Sequence, residues 1–375
     1  MIYLDSAATS LLKPPEVAQA AAEAIRSCAS PGRGVHPPAM RAADLVYSCR
    51  EEAAGLFHLD GPEKTVFTMN ATHALNIAIK SLVKPGMRTV ISGYEHNAVV
   101  RPLVNLGAET DVVAGEAFNT DSFLSELERK LPGAGAAVFT HVSNVFGFRL
   151  PAEEIACLCR KYEVPLILDA AQSAGHFDID QSVLNAEFIA MPGHKGLMGP
   201  QGTGMLLCSH SAQPLLYGGT GSMSDSYDMP EDLPERLEAG TMNVCGIAGL
   251  RQGIRFVRKI GVNRLAAAEK ALTDRLLEGL RKIRALHVVE VPESARAGVV
   301  SVVPETMDCE ALASALGRAG VAVRAGLHCA PLAHRTVGTI STGTVRFSVC
   351  PLNTANEIDT AVKITGNILK NSYKS

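Results

Sequence analysis

No stretch of this 375-residue sequence is apolar for long enough to cross a bilayer, and Lys and Arg gather nowhere into a basic run. Thirty-five basic residues face 38 acidic ones, for a formal net charge of −3, which leaves no positive field for nucleic acid or an anionic membrane surface. Internal repeats and low-complexity tracts are also missing. No signal-peptide pattern opens the chain, where Met1 leads straight into the strand-like MIYLD, and a cytoplasmic protein is expected. Nine cysteines lack any paired spacing, which points to reduced thiols and against a disulfide framework. Cys157 and Cys159, two apart on an expected helix, point to different faces. His328, Cys329 and His334 form the one His/Cys knot but lack a fourth ligand, so no metal site is expected. The Gly-rich loop at 217–221 has the wrong spacing for a dinucleotide fingerprint.

What is present is ordinary globular material, 47% hydrophobic and 19% charged, long enough for a sizeable core and for two domains. A Pro-started helix is expected at 14–27, then a loop SPGRGVHPP, then a long helix at 40–57. Strand-like runs follow at 65–68, 89–92, 110–113, 136–142, 164–168, 187–191 and 204–208, with helices such as 71–82, 122–131 and 151–162 between most of them. That alternation predicts an α/β fold, a mainly parallel seven-stranded sheet with helices on both faces. The last two strands are too close for a helical crossover and are expected to be antiparallel. Residues 245–283 read as helical and as leaving the large domain. Beyond them come strands at 287–291, 298–303, 321–324 and 344–349 and helices at 309–318 and 354–369, a smaller α+β domain. The expected division is 1–245 and 246–375, with residues 1–30 packing on the smaller part.

The chain is organised around 164–204. The apolar run at 164–168 ends in Asp169, and the run at 187–191 ends in Pro192, Gly193, His194 and Lys195. Parallel strands covered on both faces show such continuous apolar runs and place ligands beyond their carboxyl ends, so one carboxylate and one lysine face a single crevice. Pyridoxal phosphate (PLP) needs this pair, an amine to condense with its aldehyde and a carboxylate to keep its pyridine nitrogen protonated. Taken singly, an Asp after a strand also reads as a helix cap and a Lys among glycines as a solvated loop residue. Upstream, the amides of Ala71 and Thr72 and the Thr72 hydroxyl stand at a helix start, where they fit either a phosphate cup or an ordinary N-cap. Arg346 sits mid-strand in TVRFSV, where it reads as a carboxylate-binding guanidinium or as an edge residue facing water. Cys329, in RAGLHCAP beside His328, reads as an activated thiol or as a structural one.

DAAQ, a 26-residue spacing from Asp169 to Lys195, and GHKGLMGPQG resemble the PLP signature of class V aminotransferases, and within them the cysteine desulfurase and selenocysteine lyase group. The resemblance runs from LDSAATS to the last helix. It implies a PLP-dependent transferase of fold type I, with Lys195 bonding the cofactor, His194 beside it, and Asp169 on the pyridine nitrogen. It further implies phosphate contacts from Ala71 and Thr72, His96 of YEHNAVV stacked on the ring and assisting proton transfer, and Asn144 of HVSNVFG touching ring hydroxyl and substrate. Gln172 would approach the ring hydroxyl, although a polar residue there also caps helices. Arg346 would hold the substrate carboxylate, with Arg324 as accessory. EAGTMN resembles a family segment whose Thr, here Thr241, reaches the partner subunit's phosphate, which implies a C2 homodimer. Two positions depart from the pattern: His73 replaces a usual Glu, and Pro192 replaces a Ser that contacts the phosphate.

RAGLHCAP resembles the R-x-G-x-HCA pattern in which the cysteine, here Cys329, is the nucleophile. The implied reaction is cysteine desulfuration: substrate cysteine displaces Lys195, Lys195 takes the Cα proton, Cys329 takes the sulfur as a persulfide, alanine leaves, and a sulfur-acceptor protein collects the sulfur. Selenocysteine lyase, cysteine sulfinate lyase and transamination are the rival activities of the same class. A non-catalytic PLP-binding scaffold protein is the rival outside enzymes.

Overall fold

The structure, a computed structural model, describes residues 1–32 and 34–372; Arg33, inside the expected SPGRGVHPP loop, lies outside the described residues. The chain opens with β1 (Ile2–Tyr3), α1 (Pro15–Ser27), α2 (Pro37–Phe57), β2 (Thr65–Thr68), α3 (Ala71–Leu82), β3 (Arg88–Ser92), α4 (Asn97–Leu106), β4 (Glu109–Val113) and α5 (Thr120–Lys130). It continues through β5 (Ala136–Thr140), α6 (Ala152–Lys161), β6 (Leu166–Asp169), α7 (Gln181–Leu184), β7 (Phe188–Pro192), β8 (Gly204–Cys208), α8 (Val244–Ile260) and α9 (Val262–Arg281). Last come β9 (Leu286–Val288), β10 (Val299–Pro304), α10 (Cys309–Arg318), β11 (Val321–Ala322), β12 (Arg324–Gly326), α11 (Pro331–Val337), β13 (Thr344–Ser348) and α12 (Ala355–Ser372). No helix among the described residues is long and apolar enough to cross a membrane.

The larger sheet has seven strands in the order β2, β8, β7, β6, β5, β3, β4. Only β8 runs antiparallel to its neighbours, as the short β7–β8 connection requires. Every residue of β5, β6 and β7 is buried, because helices cover both faces. The alternation of side chains shows this directly: Leu166 and Leu168 enter the core shared with α2, α5, α6 and α8, while Ile167 enters the one shared with α3 and α4. The smaller sheet, β12, β13, β10, β9, is antiparallel throughout. Leu276 and Leu280 of α9, Leu312 of α10 and Ile358 of α12 form its core with Val302 and Phe347.

Three details differ from expectation. The run at 136–142 stops as a strand at Thr140, whose N–H bonds the Glu95 carboxylate instead of continuing the ladder. The run at 321–324 changes partner midway, β11 pairing with β1 and β12 with β13. Helix α8 buries Val244, Ile247, Leu250 and Ile254 in the core of the larger sheet instead of leaving the large domain.

Arg50 of α2 and Glu238 form an ion pair, each side chain under a tenth exposed, with Nη2 2.6 Å from Oε2. Glu238 Oε1 also accepts the Phe67 N–H at 2.6 Å, and Arg50 Nη1 donates to the Thr65 carbonyl. This ties the segment leading to Thr241 onto strand β2. Removing one partner strands a charge away from water, so Glu238→Ala is expected to cost about 3–5 kcal/mol in urea unfolding. A loss below about 1 kcal/mol would put the pair among those of no more than surface value.

Candidate active site

Strands β3, β5, β6 and β7 end at one cleft of about 800 Å³, and the smaller sheet supplies its opposite wall. Asp169, the last residue of β6, is 3% exposed, and its Oδ1 accepts the Ala171 N–H at 2.9 Å. Burial raises its pKa, opposed by that hydrogen bond and by Lys195. Lys195 follows the turn after β7 on the cleft floor. Desolvation there pulls its ammonium down to about 8, Asp169 works the other way, and Arg346 and Arg324 add to the fall. Such a lysine sheds its proton far more readily than one in water.

His96 caps helix α4, its Nδ1 accepting the Ala98 N–H at 3.0 Å. That hydrogen bond puts the neutral ring's proton on Nε2. Burial, with Lys195 next, lowers its pKa to about 4, so the ring is neutral at physiological pH. Helix α3 begins at the cleft edge, where Asn70 takes the His73 N–H at 2.9 Å and Ala71 and Thr72 line the cavity. Asn144, Gln172, His194, Arg324, Arg346 and Cys329 line it too. Gln172 Nε2 donates to the Ala7 carbonyl, 2.9 Å, and His194 Nδ1 lies 3.1 Å from Thr9 Oγ1. Thr241 is absent from the described residues lining this cleft; it is exposed beside a separate cavity with Met69 and His73.

Arg346 is 2% exposed, which removes the edge-strand reading, whereas Arg324 is exposed. Cys329 is exposed at the mouth, which removes the reading of a buried structural thiol. His328 and Cys329 both adopt left-handed backbone, φ 48° and 57°, a costly conformation for two consecutive non-glycine residues. The turn is pinned: Asn144 Nδ2 donates to the His328 carbonyl and the Asn97 N–H to that of Cys329, each at 2.8 Å. His328 would lower the pKa of the neighbouring thiol only as a base or cation. Burial lowers its pKa to about 3 and its Nε2 is engaged by Thr344, so it is no cation. The rings of His328 and His334 stack 5.9 Å apart, and among the described residues no group of three or more His, Cys, Asp or Glu is arranged for a metal.

Two side chains that pack behind the cleft residues were not foreseen. Glu95 is fully buried between the ends of β3 and β5, accepting from Ser92 Oγ at 2.5 Å and the Thr140 N–H at 2.8 Å. Burial pushes it up to about 8, so a neutral carboxyl couples the ends of β3 and β5, the strands that lead to His96 and Asn144. Its place beside His96 was the available signal. Asp5 bonds Arg346, and the N-terminal LDSAATS carries it.

A lysine and a carboxylate near neighbouring strand ends, roofed by an arginine of the second sheet and a thiol from the turn after β12, share one cleft of an α/β enzyme. The Aminotransferase class-V model matches residues 2–361. The chain belongs to the class V aminotransferase family. A probable cysteine desulfurase of Pyrococcus abyssi is 32% identical, covering 100% of this chain and 96% of the relative. Another, of Methanothermobacter thermautotrophicus, is 33% identical over 95% and 92%. The apo structure of a cysteine desulfurase from Thermococcus onnurineus superposes with a TM-score of 0.91 at 32% identity, covering 99% of this chain and 95% of that one.

Proposed function

We propose that the chain is a PLP-dependent cysteine desulfurase that converts L-cysteine to L-alanine and keeps the sulfur on Cys329. The observation that carries this reading is the single cleft shared by Lys195, Asp169, Arg346 and the exposed Cys329. The donor set fits PLP: an amine of lowered pKa, a buried carboxylate with one oxygen on a backbone amide, a neutral histidine, and the start of a twelve-residue helix for the phosphate. When bound there, the cofactor supplies an electron sink for charge developing at Cα. Family membership and relatives named cysteine desulfurase support the same reading.

In this reading Asp169 would hold the pyridine proton, Thr72 and the Ala71 and Thr72 amides would hold the phosphate, His96 would stack on the ring, and Gln172 would approach the ring hydroxyl. Arg346 takes the substrate carboxylate, with Asn144 and the exposed Arg324 alongside. Lys195 moves the proton at Cα, a role that its lowered pKa suits. The Cys329 thiolate attacks the substrate sulfur; an S–S bond forms, the Cβ–S bond breaks with its pair left on carbon, and a proton completes alanine. Substrate cysteine and the enzyme thiol thereby give alanine and an enzyme persulfide, which an acceptor protein collects. Nine free cysteines fit a reducing, cytoplasmic setting. We keep the two-part division of the chain, with α8 assigned to the larger part because its apolar face lies in that core.

Incubating the holoenzyme with L-cysteine, L-selenocysteine and L-cysteine sulfinate and quantifying alanine separates this activity from its rivals. Alanine from cysteine supports the desulfurase; alanine from the other two only favours the lyase activities, and none from any leaves a scaffold or a transaminase. The exposure of Thr241 away from its own chain's cleft supports service to a partner's site. Sedimentation of the holoenzyme is expected to give a dimer, and Thr241→Ala to weaken PLP retention. Full activity from a strict monomer would rule out the shared site.

A further inference from the structure

The segment from Ile2 to Ser10 crosses between the two sheets. On one side the Leu4 N–H donates to the Ala322 carbonyl at 2.9 Å, and the Ser348 N–H to that of Leu4 at 2.8 Å. On the other side, Ala7 takes the Gln172 amide at 2.9 Å and the Ser10 hydroxyl donates to the His194 carbonyl at 2.9 Å. Between these anchors Asp5 Oδ1 accepts from Arg346 Nη2 at 2.7 Å. Nη1 of the same guanidinium donates to the Asn144 carbonyl at 2.9 Å, while Nε is sealed from solvent with no partner among the described residues.

A guanidinium has five donors in a fixed plane, so two anchors on its Nη atoms set the direction of the rest. The charge balance points the same way. Arg346 lies opposite Arg324 in the β12–β13 register and shares the cleft with Lys195, and Asp5 is the carboxylate paired to it. Burial works against the charge on Arg346 and Asp5 works to restore it.

We propose that Asp5 is a positioning residue: it holds the Arg346 guanidinium in the orientation in which its unspent donors receive the α-carboxylate of the incoming amino acid. This rests on the assignment of Arg346 to that carboxylate. Asp5 then governs affinity for carboxylate-bearing amines and leaves the bond-breaking at sulfur to Lys195 and Cys329.

The test uses holoenzyme and two amines, L-alanine and ethylamine, which differ by the carboxylate alone, with binding read from the visible absorbance of the cofactor and turnover measured separately. In Asp5→Ala the Kd for alanine and the KM for cysteine are expected to rise about tenfold to a hundredfold, the span of one charge-assisted hydrogen bond. The Kd for ethylamine and kcat are expected to stay within about twofold of wild type, the spread of an uninvolved site. Asp5→Asn keeps an oxygen for Nη2 without the charge and is expected to fall between, which also provides a reading where the alanine variant fails to fold. Alanine binding at the wild-type level in both variants would overturn the proposal, as would a parallel loss for alanine, ethylamine and kcat. Arg346→Gln serves as the reference. If it too binds alanine like wild type, the carboxylate assignment falls and this proposal with it; if it loses alanine while Asp5→Ala does not, Asp5 alone is refuted.

Discussion

Cys329→Ser is expected to lower alanine formation from L-cysteine on the order of a thousandfold while leaving the visible absorbance of the cofactor in place. A serine hydroxyl keeps its proton at any working pH and is a far poorer nucleophile toward divalent sulfur than a thiolate. The substitution removes one sulfur atom from an exposed turn whose carbonyls are held by Asn144 and Asn97, so the fold has little to lose. Selenocysteine and cysteine sulfinate carry better leaving groups that depart without attack by the enzyme, and their turnover should survive in large part. Unchanged desulfuration by the variant would return Cys329 to the status of a bystander and move the chain to another class V reaction.

The second large effect is at Lys195. Lys195→Ala is expected to abolish the yellow colour of the lysine-bound cofactor and to lower turnover by at least about 10²–10⁴-fold, the range that a positioned proton-transfer group contributes. Because the wild-type ammonium is desolvated and pulled down to about 8, its removal deletes a poorly solvated charge as well as a base, and thermal unfolding of the apo variant should be no worse than that of wild type. Retention of the wild-type spectrum in the variant would exclude Lys195 as the cofactor's amine.

Asp169 and Lys195 were legible because each closes a continuous apolar run, and a parallel sheet covered on both faces sends such ends to one crevice. The seven-stranded sheet was legible for the same reason, down to the reversal at β8. Helix α4 and its cap by His96 were less so, since YEHNAVV carries a short polar loop and a helix start in the same few residues. Asp5 could not be paired from spacing at all, because 341 residues separate it from Arg346 and only the fold brings β1 beside the smaller sheet. The protonation states of Glu95 and His328 depend on burial, which sequence position does not reveal. The helix at 244–260 has an apolar face that would satisfy either core; its position after the last large-domain strand reads as leaving that domain, whereas its apolar face packs into the larger core.

Sulfur transfer to this protein's own cysteine is tested most directly by mass spectrometry of the wild-type holoenzyme after brief incubation with L-cysteine, with thiols and persulfides trapped by alkylation. The expected result is one added sulfur, about 32 Da, on the peptide containing Cys329, ahead of any on the other eight cysteines and absent when cysteine is omitted. Alanine released in stoichiometric amount with no added sulfur on Cys329, or with the sulfur appearing first on another cysteine, would contradict it.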